Sequence, residues 1–133
     1  ATSSLFRVCA TSGCYEFLMA EALIASLSLN VDIVNVSIGK CNGGSPSPWL
    51  QAAINTVRSA SSPPVILWAG GNGTAQCTTQ TVSGFPLYDT AGIAVAAFGS
   101  DHGSTSNYSQ GSRLDVSRPA FLIADRATVA SNC

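Results

Sequence analysis

A chain of 133 residues suffices for one domain with a single core, and only 10% of them are charged, against about a quarter in an ordinary soluble domain. With a formal net charge of −1 and no Lys/Arg cluster, nothing attracts a phosphate backbone or an anionic lipid surface, so nucleic acid is excluded as the expected partner. No apolar run approaches the roughly 18 residues of a membrane span, and the opening Ala-Thr-Ser-Ser has neither an initiator Met nor a signal core, which reads as a processed end.

In chain order, Leu5 to Cys9 reads as a short strand ended by the turn Thr11-Ser-Gly-Cys14. From Tyr15 to Leu29 the apolar residues Phe17, Leu18, Ala22, Ala25 and Leu29 recur at helical spacing, which predicts a helix packed on a sheet. Val31 to Ile38 is the next strand, bounded by Asn30 and Gly39. After the loop Gly43–Pro48, Ser47 reads as an N-cap with Pro48 at the first helical position. The following helix, Trp49 to Ala60, places Leu50, Ala53, Ile54 and Val57 on one face.

Pro63-Pro64 ends that helix. Val65 to Ala69 is too short for another and carries two β-branched residues, so it is expected to be a strand buried on both faces. Gly70, Gly71 and Gly73 then turn the backbone around Asn72, at the carboxyl edge where open α/β sheets keep their sites. An amide held there suits donation to a developing oxyanion; the alternative is a Gly-Asn turn without chemistry. Ile93 to Phe98 is a further strand, and Leu114–Val116 and Phe121–Ala124 are short extended pieces. Strand and helix alternating through short connections predict an α/β fold with a parallel sheet in a single domain spanning 1–133.

Cys9, Cys14, Cys41, Cys77 and Cys133 contain no C-x-x-C pair and the chain has one histidine, so no metal site and no cofactor are expected. They suit a disulfide-bearing secreted protein with two bridges and one cysteine over. Cys9 and Cys14 flank a tight turn and Cys41 and Cys77 each follow a strand at one edge, although five cysteines allow other pairings. Cys133 remains available for self-association or a link to a companion. Sequons occur at Asn35, Asn72 and Asn107; the first lies inside an apolar strand, leaving Asn72 and Asn107 as candidates for glycan. A glycan on Asn72 would exclude its use in an oxyanion hole.

Four blocks together carry a resemblance: Asp32-Ile-Val-Asn-Val-Ser-Ile-Gly39, Ala69-Gly-Gly-Asn-Gly73, Gly84-Phe-Pro through Ala97, and Asn107-Tyr-Ser through Val116. In order and approximate spacing they resemble the subtilisin-like serine peptidases, the subtilases. The resemblance implies a subtilase-like parallel β-sheet with flanking helices, truncated to the middle of the family fold. It implies that Asn72 stands where the family keeps its oxyanion Asn. It further implies that Ser37, Ile38 and Gly39 form the strand edge to which substrate peptide adds, and that Ala69, Gly70 and Gly71 wall the specificity pocket. The family's catalytic Asp, His and Gly-Thr-Ser-Met-Ala motifs have no match here, His102 fits no catalytic position, and Ala120 follows Pro119 where the family typically has Gly.

Hydrolysis by serine needs a hydroxyl activated by a base, and none of the nineteen serines sits in a nucleophile turn beside one. The expectation is a secreted, catalytically inactive subtilase-like protein that binds a partner such as a cell-surface target, in the manner of a killer toxin or effector. The alternative is a non-catalytic fragment of a cleaved serine endopeptidase that lends its oxyanion Asn and substrate strand to a companion chain.

Overall fold

A computed structural model describes residues 3–40, 44–71, 84–98 and 115–119. Strands β1 (Cys9–Ala10) and β2 (Gly13–Cys14) form a minimal antiparallel hairpin, followed by helix α1 (Glu16–Ser28), strand β3 (Ile33–Val36), helix α2 (Pro48–Arg58) and strand β4 (Val65–Ala69). A 3₁₀ turn at Phe85–Leu87 precedes strands β5 (Ile93–Phe98) and β6 (Val116–Pro119). Among the described residues the main sheet has four parallel strands in the order β3-β4-β5-β6.

Local chemistry accounts for the helix ends. Ser47 caps α2 by accepting from the Leu50 amide at 3.4 Å, and Pro48 follows it. At the end of α1, Asn30 takes φ 52°, its N–H reaching Leu27 O at 3.1 Å while that of Val31 reaches Ser26 O at 3.4 Å. This is a Schellman ending with Asn in the left-handed position.

The core lies between the helices and one face of the sheet. Met19 and Leu23 of α1 meet Leu50, Ala53, Ile54 and Val57 of α2, with Ile66, Trp68 and Phe85 completing the cluster. All four positions expected on the inner face of α2 are buried. Trp68 and Phe85 pack with ring centroids 5.6 Å apart at a tilt of 52°, a geometry worth about 1 kcal/mol beyond area burial.

Three expectations are corrected. The strand predicted at Leu5 to Cys9 shrinks to the hairpin at Cys9–Ala10, and Leu5 is 98% exposed, because no described strand lies beside it to complete a ladder. The buried stripe of α1 is Met19, Leu23 and Ser26, not the row through Phe17 and Leu29, which are exposed. That helix is apolar nearly all round, so periodicity could not choose its face. Strand β4 is fully buried on one side only: Ile66 and Trp68 are buried, whereas on the other side Leu67 and Ala69 are half-buried and Val65 is 43% exposed. Both α1 and α2 pack on the Ile66/Trp68 side, leaving Ile33 and Val65 on the other.

Candidate functional site

Parallel pairing aligns the carboxyl ends of the strands. Val36 pairs with Trp68, so Ser37–Lys40 and Ala69–Gly71 leave the sheet side by side. A Cβ on Gly39 would meet the Cα of Gly71 at 4.0 Å, so the two glycine backbones face each other across the rim. Gly71 adopts φ 96°, a conformation that favours glycine, and the buried Gly70 donates its N–H to Val95 O at 2.7 Å.

The rim thus assembles Ser37, Ile38, Gly39, Ala69, Gly70 and Gly71 from two strand ends. Their exposures differ in a way that bears on recognition. The side chain of Ile38 packs against the core, which leaves backbone as what it can offer a ligand. Ser37 is exposed, its Oγ accepting from Asn35 Nδ2 at 2.9 Å. Asn72, Asn107, Cys41, Cys77, Cys133 and His102 lie outside the described residues. The sulfurs of Cys9 and Cys14 are joined as a disulfide across the hairpin.

Two polar networks that sequence reading missed tie the helices to the sheet, the first through residues that precede β4 and β5 and the second at Lys40, next to the rim. In the first, the Asp89 carboxylate, 3% exposed, accepts from Arg58 Nε at 2.9 Å and Nη2 at 2.5 Å, and from Trp68 Nε1 at 2.7 Å. Arg58 Nη1 also donates to Pro64 O at 3.3 Å. The last turn of α2, strand β4 and the segment after the 3₁₀ turn are thereby joined through one buried ion pair. Gly92 closes against it: a Cβ there would fall 2.6 Å from Asp89 Oδ2 and from the Cδ1 and Nε1 atoms of Trp68.

In the second network, Lys40 Nζ donates to Glu16 Oε1 at 2.8 Å and to Ser45 O at 2.9 Å. Glu16 Oε2 accepts the backbone N–H of Ser47 at 2.5 Å, tying the first residue of α1 to the N-cap of α2. Burial pushes the Glu16 carboxyl up, but the hydrogen bonds from Lys40 and Ser47 and the charge of Lys40 outweigh it and hold the group below its ordinary value of 4.5. A carboxylate favoured in the folded state stabilises fully above the unfolded value and loses that contribution as pH falls through the lowered one. The melting temperatures of wild type and Glu16→Gln should therefore differ most near neutrality and converge below pH 4.5. A gap unchanged between neutrality and strong acid would contradict the ionic role.

Sequence signals for both networks existed but were indirect. In a chain with thirteen acidic and basic side chains, an Arg ending an apolar helix and an Asp following Gly84-Phe-Pro-Leu-Tyr require partners when buried. Among the described residues no group of three or more His, Cys, Asp or Glu gathers as a metal site, and no described helix is long and apolar enough to cross a membrane.

A parallel α/β sheet with two glycine-lined strand ends meeting at its carboxyl rim defines the class of scaffold. The profile of the subtilase family matches residues 3–129, and the chain belongs to that family. Among solved structures, the prenylagaramide maturation protease PagA is similar with a TM-score of 0.57 and 19% identity, over 85% of this chain and 36% of that one. MycP1, in a structure described as having its N-terminal propeptide removed, gives a TM-score of 0.63 and 19% identity over 78% of this chain and 39% of its own. At that identity the likeness concerns the fold, and the chain spans less than two fifths of either structure. No curated protein matches the chain by sequence.

Proposed function

We propose that this chain is the peptide-binding part of a subtilisin-like serine endopeptidase, non-catalytic by itself and completed by a companion segment that carries the Asp, His and Ser. The observation that carries the reading is the facing of Gly39 and Gly71 at the sheet rim, which leaves two backbones open beside each other where side chains would otherwise fill the space. An extended peptide adds to Ser37–Gly39 by main-chain hydrogen bonds, and Ala69–Gly71 walls the pocket for one of its side chains. The family membership supports the peptidase part of this reading.

In this reading the companion's His takes the proton of its Ser as the hydroxyl attacks the scissile carbonyl, and Asn72 donates its amide N–H to the oxyanion that forms. Such a donor supplies about 3–4 kcal/mol of transition-state stabilisation. A second reading is a secreted protein that binds a partner without catalysis, as a toxin or effector does. The disulfide of Cys9 and Cys14 favours an oxidising compartment for either version.

Native material carrying these residues, treated with a fluorophosphonate probe and mapped under non-reducing conditions, separates the readings. Label on a Gly-Thr-Ser serine joined to or copurifying with this segment is the expected result. Label on a serine of the 133 residues themselves would overturn the non-catalytic assignment, and a lone unlabelled chain that binds a cell-surface protein would favour the second reading.

A further inference from the structure

The residue directly after the rim tripeptide is where three parts of the molecule converge. The ammonium of Lys40 is held by Glu16 and by Ser45 O, which places it against the starts of both helices. Its stem lies along Gly44, where a Cβ would come within 2.9 Å of the Lys40 Cδ and Cε atoms. Its backbone lies under Gly84, where a Cβ would fall 2.8 Å from Lys40 O and 3.0 Å from Lys40 N. Gly84 also adopts φ 74°, so both the space and the conformation at that contact call for glycine.

Each of the three contacts acts on a different part of the residue: charge, stem and main chain. No ladder bond of β3 with β4 extends past Val36, so among the described residues the segment 37–40 is held by the packing of Ile38 on the core and by what grips its far end. We infer that Lys40, clamped by Glu16 and seated beneath Gly84, is a positioning residue that sets the spacing of Ser37–Gly39 from Gly71 and so governs how tightly an extended peptide docks at the rim. This rests on the peptide-binding reading above. Lys40 acts through the strand edge and touches no reacting atom, so its effect falls on binding and not on the chemical step.

Three variants of the full chain test it: Lys40→Met keeps the stem and removes the ammonium, Lys40→Arg restores a cation, and Gly44→Ala displaces the stem without altering charge. With the companion present, Lys40→Met should raise KM for an extended peptide by about tenfold or more and change kcat for a small ester by less than about twofold, because misplacement of a docking edge weakens a pose without altering the nucleophile. Gly44→Ala should shift KM in the same direction, and Lys40→Arg should restore most of the loss. Hydrogen exchange at the amides of residues 37–39 should quicken in Lys40→Met while that of β4 stays slow.

Unchanged exchange at 37–39 together with unchanged KM would overturn the inference even where wild type binds peptide. Wild type that binds no extended peptide would instead remove the reading on which the inference rests, and the exchange result would separate that outcome from a failure of the clamp. If Lys40→Met does not fold, Gly44→Ala read by the same KM and exchange measurements decides the matter.

Discussion

Asp89→Ala should cost the folded state about 3–5 kcal/mol, the range found when one partner of a buried ion pair is removed. The reason lies less in the lost attraction than in what is left behind. The Trp68 indole is 1% exposed and its Nε1 has Asp89 Oδ2 as acceptor at 2.7 Å, so the variant strands a donor in the core. Arg58 is better placed to recover, because its side chain is 20% exposed and already reaches Pro64 O. Asn at this position keeps an acceptor for Trp68 while losing the charge and should cost clearly less than Ala. Urea unfolding followed by tryptophan fluorescence measures both; equal losses for Ala and Asn would show that the charge, not the stranded indole, dominates.

Gly92→Ala should be nearly as damaging, at about 3 kcal/mol or more, although it adds a single methyl. The atoms it would meet at 2.6 Å are not the ends of flexible chains. The indole is locked between the core and Asp89, and the carboxylate is locked by two bonds from Arg58, so neither yields without breaking the other. The two substitutions should therefore be non-additive: with Asp89 shortened to Ala, one of the clashing atoms is gone and the methyl costs less. A double-mutant cycle showing coupling under about 0.5 kcal/mol would mean that the backbone at residue 92 shifts freely instead.

How far the molecule could be read in advance depended on whether a signal was local. Val65–Ala69 and Ile93–Phe98 are strands with the bounds expected, since a short β-branched or small apolar run between breakers admits little else. The inner face of α2 was legible because polar residues separate its apolar ones. That of α1 was not, because Phe17, Ile24 and Leu29 are as apolar as the residues that are buried. That residues 37–39 and 69–71 leave the sheet at one edge followed from the parallel order of β3 and β4, whose pairing ends at Val36 and Trp68. The two polar networks did not, because Arg58 and Asp89 lie 31 residues apart and Lys40 and Glu16 lie 24 apart, and nothing in either neighbourhood names the other.

The order β3-β4-β5-β6 has a kinetic corollary. Among the described strands, β4 bonds to β3 before it and β5 after it, and β5 bonds to β4 and β6, so neither inner strand waits for a distant described segment before finding its seat. A nascent chain leaving the ribosome at roughly 5–20 residues per second can therefore lengthen this part of the ribbon one crossover at a time, with β6 docking on a β5 already in place.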